Sequence, residues 1–190
     1  MVGMDKAMAV ARQSGIEPKG MTLVEFLTAI VILGILSAIA IPGILGSIHR
    51  RGVDGASRRL TEDIRLAQSN AITKGAQARL IVFDQTGAVP DPGNLNDPTK
   101  ANKYRIELRP GPSALWPSVN DNPSSNPNVL TVWQDIGSQY RGVAVTTGSA
   151  VVFNSQGFLM NSAAPVTTVL QGPGGSKTVK TTVIGKVTVL

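Results

Sequence analysis

A long uncharged apolar segment near the start of the chain constrains the fold more than any other feature. Residues 26–41 contain no charged side chain. Extended to residues 21–45, the apolar segment reaches about 25 residues, the length that a tilted helix needs to cross a lipid bilayer. This segment therefore predicts a single membrane-spanning helix.

One carboxylate, Glu25, lies near the N-terminal end of this segment. A charged side chain costs about 2.5–3.5 kcal/mol at mid-bilayer on insertion scales, and less toward the interface. Glu25 is therefore predicted to be functional and to need a cationic partner. If the chain were cut between Gly20 and Met21, the new α-amine would lie four residues from Glu25. Such an amine has a pKa of about 7.7–8.0 in model peptides and is largely protonated at neutral pH. It can neutralise Glu25 in the same subunit or in a neighbour.

The residues before the cut form a polar leader, which lacks the apolar middle region of an ordinary secretory signal. Residues 19–25, with the apolar segment behind them, resemble the prepilin cleavage and methylation motif of type IV pilins and type II secretion pseudopilins. The resemblance implies cleavage after Gly20 by a prepilin peptidase, N-methylation of Met21 and assembly of the apolar helices through Glu25. Pro42 lies where these proteins usually carry a proline and is the second predicted assembly residue. The alternative is a plain single-pass anchor whose Glu25 sits among the headgroups.

Composition limits the remaining chemistry. The chain has no cysteine, which excludes disulfides, thiolate metal sites and cysteine nucleophiles. Its formal charge of +6 gives a weak preference for anionic partners.

The charges around the span do not agree with the orientation that the resemblance implies. Three basic residues precede the span, while Arg50, Arg51, Arg58 and Arg59 follow it closely. The positive-inside rule therefore does not choose a cytoplasmic N-terminus. The resemblance does choose it, and implies a single-pass inner-membrane protein with a periplasmic C-terminal domain.

Beyond Pro42 the helical pattern is interrupted and then resumes. Pro42 and Gly46 predict bending or local melting between them. Apolar residues then recur at spacings of three and four, which predicts an amphipathic helix that packs on a sheet: Val53, Ala56, Leu60, Ile64, Ala67 and Ala71. Gly75 is the predicted helix stop. The whole helix is expected to span roughly 50 residues, about 80 Å if unbroken.

After the helix the apolar period changes to two, which predicts β-strands. The predicted strands are 78–83, 104–109, 129–136, 142–147, 150–154, 157–160 and a tail at 178–190 interrupted at Gly185. In the second strand, Tyr104, Ile106 and Leu108 are expected to face inward and Arg105, Glu107 and Arg109 outward. Predicted loops occupy 85–102, 110–128 and 161–176, and the second loop is expected to be functional or mobile because of its length.

Three segments narrow the resemblance to the GspH/FimT family: residues 56–72, 151–157 and 184–187. The resemblance implies an α+β, type IV pilin-like fold, in which a long N-terminal α-helix packs on an antiparallel β-sheet. The implied division is a leader at 1–20, a transmembrane assembly helix at 21–48, its amphipathic second half at 49–75, and a periplasmic β-sheet domain at 76–190.

The implied function is that of a minor pseudopilin of a type II secretion system. The alternative is a minor pilin of a type IV pilus, FimT-like, with DNA binding in DNA uptake as a further option. The implied partners are other pseudopilins or pilins, the prepilin peptidase and the membrane.

No enzyme site, metal site or cofactor site is predicted. The single histidine, His49, lies beside the membrane exit, and the carboxylates are scattered. Residues 172–178 superficially resemble a phosphate loop, but a β-rich segment rather than a helix follows them. They predict a hairpin or loop.

A last candidate site lies near the C-terminus. Some FimT-type pilins are thought to bind DNA through a basic Gly-Arg-x-Arg pattern, which corresponds here to residues 185–188 and keeps one positive charge. Lys177, Lys180 and Lys186 are the candidate anion or DNA contacts. The favoured interpretation is that they are solvent-facing lysines of an amphipathic strand.

Overall fold

The computed structural model describes residues 20–89, 95–160 and 165–190. The leader lies outside these ranges, apart from Gly20. The chain divides into two compact units, Met1–Ile41 and Pro42–Leu190.

The first element is helix α1, Leu23–Lys74. Within the described ranges, one stretch, Leu23–Ala40, is long and apolar enough to cross a membrane by length and composition, and none of it is buried. The backbone is helical through residues 42–46, so the predicted local melting is not found. A proline removes one hydrogen bond, which leaves most of the helical ladder in place. The side chains of residues 41–49, including Pro42 and His49, lie outside the described part.

The second half of α1 packs as the apolar spacing predicts. Its apolar stripe is buried in the main hydrophobic core: Val53, Ala56, Leu60, Ile64, Ala67 and Ala71. The helix ends in a Schellman motif, in which Gly75 N donates to Ile72 O and Ala76 N donates to Ala71 O. Gly75 takes a positive φ of 59°, which confirms it as the helix stop.

The strands that follow form antiparallel sheets. They are β1 (Gln77–Val82), β2 (Ala88–Val89), β3 (Leu95–Asn96), β4 (Lys103–Arg109), β5 (Gln134–Asp135), β6 (Ala144–Thr147), β7 (Ser149–Phe153), β8 (Val166–Gly172), β9 (Gly175–Thr181) and β10 (Val187–Val189). In the described ranges, one sheet has the order β5-β4-β1-β7, a second has the order β10-β9-β8-β6, and β2 pairs with β3. A short 3-10 helix, Pro98–Lys100, and helix α2, Ile136–Gln139, complete the fold. The predicted arrangement of a long N-terminal helix on antiparallel sheet is confirmed.

Several predicted strands and loops need correction, and the predicted loop at 85–102 contains β2, β3 and the 3-10 helix. The predicted loop at 161–176 contains β8 and most of the β8–β9 hairpin, because Val166–Leu170 is rich in β-branched residues that the loop prediction overlooked. The predicted strand at 129–136 shrinks to β5, since Asp135 instead caps α2 by accepting a hydrogen bond from Ser138 N. The predicted strand at 157–160 is reduced to one bridge between Phe153 and Leu159.

The outward face predicted for β4 is wrong. Arg105 and Glu107 are 0% and 1% exposed. Glu107 accepts hydrogen bonds from Arg79 Nε at 2.8 Å and from Arg105 Nε at 2.6 Å. Arg105 also donates to the carbonyls of Ser118 and Asp121, in the loop predicted at 110–128. This loop therefore covers the face that alternation alone assigns to solvent.

Two tryptophans complete this buried layer. The guanidinium of Arg79 lies 4.5 Å from the ring centre of Trp116, and that of Arg105 lies 4.3 Å from the ring centre of Trp133. Burial lowers the pKa of Arg79, and the Glu107 carboxylate opposes that shift. The single carboxylate thus holds two arginines against the sheet.

A polar link also joins α1 to β4. Tyr104 OH donates to Asp63 Oδ2 at 2.6 Å, and Arg59 Nε lies 3.1 Å from the same oxygen. Burial raises the pKa of Tyr104, so the phenol stays protonated and keeps donating.

Replacing Glu107 by glutamine should destabilise the domain by about 3 kcal/mol, because two buried arginines would then face a neutral acceptor. Urea unfolding of the full chain in detergent micelles, followed by tryptophan fluorescence, measures this change. Glu62→Gln is the matched control, since Glu62 is exposed on α1. An unfolding midpoint that is equally displaced in both variants would contradict the account of the buried layer.

Candidate functional site

The predicted cleavage junction lies in an exposed segment before α1. Met21 is 68% exposed, and nothing lies within 4 Å of a Cβ placed on Gly20. The first helical residue, Leu23, comes two positions after Met21. The described residues of this junction are therefore exposed, and cleavage there stays a prediction.

Thr22 caps the first turn of α1. Its hydroxyl accepts a hydrogen bond from Glu25 N at 3.2 Å, and its carbonyl accepts one from Phe26 N at 3.1 Å. Thr22 and Glu25 have the spacing of a capping box, in which a threonine at the cap is followed three positions later by an acid. The sequence carried this signal, and the prediction of Glu25 as an assembly residue did not use it.

The position of Glu25 in the first turn gives its carboxylate a second role. Unpaired N–H groups and the helix dipole make a helix N-terminus electropositive, and a carboxylate there is stabilising. A freed amine at Met21 would add a further positive charge to the same end. Glu25 is therefore placed to offset both the dipole and such an amine.

The three candidate C-terminal lysines do not lie in one patch of the surface. Lys177 and Lys180 lie three positions apart in β9, so their side chains leave opposite faces of the sheet. Lys180 pairs with Thr188, and Thr182 N donates to Lys186 O, which puts Lys180 and Lys186 on the same face. Lys177 instead lies 3.9 Å from Asp54 of α1.

A second site joins the three segments that resemble the GspH/FimT family. Gln68 of α1 donates from Nε2 to Gly157 O at 2.9 Å. A Cβ on Gly185 would lie 2.8 Å from the same carbonyl oxygen and would also collide with the Gln68 amide. Gly157 and Gly185 have positive φ values of 83° and 76°. We call this group of three residues the Gln68 clamp.

The contacts of the Gln68 clamp explain why glycine occupies positions 157 and 185. Gly157 leaves room for Ile72, whose Cδ1 would lie 2.8 Å from an added Cβ, and Gly185 leaves room for the Gln68 amide. A backbone amide of the neighbouring segment, Leu159 N, donates to Val183 O and ties the two glycine-bearing turns together. The family resemblance covers all three segments but does not predict that they meet.

Two family models match the chain. The model described as type II transport protein GspH matches residues 56–185, and the prokaryotic N-terminal methylation motif matches residues 18–41. The first match covers most of the chain, including all three residues of the Gln68 clamp. The second covers the predicted cleavage junction and Glu25.

Two solved proteins resemble the fold. The minor pseudopilin EpsH from the type 2 secretion system of Vibrio cholerae is 12% identical, with a TM-score of 0.44 over 73% of this chain and 95% of that chain. The type IV minor pilin FimU of Pseudomonas aeruginosa strain PAO1 is 12% identical, with a TM-score of 0.43 over 72% of this chain and 91% of that chain. No curated protein matches the sequence significantly.

Gly185→Ala should destabilise the domain by about 1–3 kcal/mol, because alanine is strained at positive φ and its methyl group would displace the Gln68 amide. Thermal unfolding of the full chain in detergent micelles measures the loss. Gly111→Ala is the control, since nothing lies within 4 Å of its added Cβ. Equal melting temperatures for Gly185→Ala and the unsubstituted protein would show that the clamp contributes nothing.

Proposed function

The chain belongs to the GspH family of type II transport proteins, and on that premise we propose that it is a minor pseudopilin of a type II secretion system. This membership makes it a relative of the minor pseudopilins and type IV minor pilins. The observation that supports this proposal is the match of residues 56–185 to the model described as type II transport protein GspH. The proposed role is structural: the subunit joins a short periplasmic filament and performs no chemistry of its own.

The proposed assembly depends on the first turn of α1. A prepilin peptidase cuts after Gly20, Met21 becomes the N-terminal residue and is N-methylated, and its ammonium pairs with a Glu25 carboxylate. The match of the methylation motif to residues 18–41 supports this processing. In a filament core of low dielectric, an ion pair between subunits would be strong enough to help set their axial register.

The exposed apolar segment supports incorporation through α1. None of the window Leu23–Ala40 is buried within the subunit. Lipid covers it before assembly, and the helices of neighbouring subunits cover it in the filament. The proposed location is the inner membrane, with the β-sheet domain in the periplasm.

A type IV minor pilin is the second candidate, because the methylation motif serves that class of protein as well. DNA binding has less support, since Lys177 leaves the opposite face of the sheet from Lys180 and Lys186. Deletion of the gene separates the two candidates. Secretion substrates that accumulate in the periplasm support the pseudopilin, whereas normal secretion with lost piliation supports the minor pilin.

Glu25→Gln and Glu25→Val should both insert into the membrane and fail to enter the filament, because neither side chain can pair with the Met21 ammonium. Glutamine keeps a polar side chain in the first turn of α1. If Glu25→Gln also fails to enter the filament, the cause is the lost charge and not a lost contribution to the helix cap. Cross-linking to neighbouring subunits in cells, normalised to the amount in the membrane, measures incorporation.

Glu62→Gln is the control for this experiment, because it removes an exposed carboxylate from the second half of α1. It should cross-link as the unsubstituted protein does. Normal cross-linking of Glu25→Gln would remove the assembly role of the carboxylate.

A further inference from the structure

Some of the arginines that follow the apolar segment are exposed, and one is held in an ion pair. Arg59 is held by Asp63, while Arg50, Arg51 and Arg58 are exposed. These charges conflict with the positive-inside rule if the β-sheet domain is periplasmic. The rule places basic residues on the cytoplasmic side, whereas these arginines would lie on the periplasmic side.

One of these arginines lines a cavity. Within the unit Pro42–Leu190, a cavity of about 230 Å³ is bounded by one turn of α1 and by the turn of the β8–β9 hairpin. Its lining residues are Arg50, Val53, Asp54, Gly174, Gly175, Ser176 and Lys177. The hairpin lies close to the helix, since a Cβ on Gly172 would lie 2.7 Å from Val53 Cγ2.

The lining has the chemistry of a phosphate site. Arg50 supplies a guanidinium, which matches phosphate oxygens as a bidentate donor, and Lys177 supplies an ammonium, which acts as a point charge. Ser176 adds a hydroxyl. Nothing lies within 4 Å of the Cβ position of Gly175, so the hairpin leaves space for a ligand.

Asp54 is the one acid of this lining. Its Oδ1 lies 3.9 Å from Lys177 Nζ, and the two side chains are 51% and 39% exposed. An exposed pair at this separation is weak, and it leaves ammonium donors of Lys177 for another acceptor. Two cations against one carboxylate leave the cavity with a net positive charge.

From this lining we infer that the cavity binds the phosphate of an anionic phospholipid headgroup in the leaflet from which the apolar segment emerges. Arg50 follows the last residue of the membrane-spanning window, Ala40, by ten positions in the same helix. Basic side chains near a membrane surface are attracted to anionic lipids. The inference rests on the membrane anchoring in the proposed function, and it gives Arg50 a role on this side of the span.

The test uses the full-length protein in nanodiscs of phosphatidylcholine with a minority of phosphatidylglycerol. Native mass spectrometry after transfer to detergent counts the phosphatidylglycerol that each variant retains. Arg50→Gln and Lys177→Gln should each lower the apparent affinity about fivefold, and the double variant about 25-fold, if the contributions add. Asp54→Asn should raise retention, because it removes the acid that competes for Lys177.

The matched control is the double variant Arg58→Gln, Lys186→Gln, which removes the same charge from exposed residues outside the cavity. It should retain phosphatidylglycerol within about twofold of the unsubstituted protein. Equal losses in the two double variants would overturn the site in favour of general surface charge. Retention that falls in Asp54→Asn would also overturn it.

Inorganic phosphate is the alternative ligand for this cavity, because it offers the same oxygen atoms as a lipid headgroup. Titration into nanodiscs of phosphatidylcholine alone, followed by ³¹P NMR line broadening, should show no binding that depends on Arg50 and Lys177. Broadening that disappears in the double variant would overturn the lipid as the source. A protein that fails to enter nanodiscs at all would instead contradict the membrane anchoring on which the proposed function rests.

Discussion

The fold depends on one helix that meets two different surroundings. In the second half of α1, the apolar stripe from Val53 to Ala71 is buried against the sheets of the same subunit. In the first half, the window Leu23–Ala40 has no cover from the described part of its own chain. Apolar surface of this extent is favourable only in lipid or against other apolar helices. The second half of α1 therefore shares a core with the sheets, while the apolar surface of the first half is suited to lipid or to other apolar helices.

The β-sheet domain is fixed to α1 by polar contacts as well as by apolar packing. Tyr104 contacts Asp63 of α1. Farther along the helix, Gln68 contacts the loops that carry Gly157 and Gly185. Each contact satisfies a polar group that would otherwise be costly to bury. These contacts restrict how the sheets can be arranged on the helix.

The sequence predicted the features that depend on nearby residues. The amphipathic stripe of α1 and its end at Gly75 follow from helical spacing and from the conformational freedom of glycine, and both are confirmed. The burial of Arg105 and Glu107 could not be predicted, because it depends on how a distant loop folds over the sheet. The meeting of Gln68, Gly157 and Gly185 is equally non-local. The cap formed by Thr22 was predictable from spacing alone and was missed.

The central claim is that proteolysis frees an amine beside a carboxylate at the start of an uncovered apolar helix. Intact-mass and N-terminal peptide mass spectrometry of the protein purified from the membranes of its own cells tests this claim most directly. The account predicts a chain that begins at Met21 and carries an added methyl group on its α-amine. A protein that keeps residues 1–20 in those membranes would contradict it.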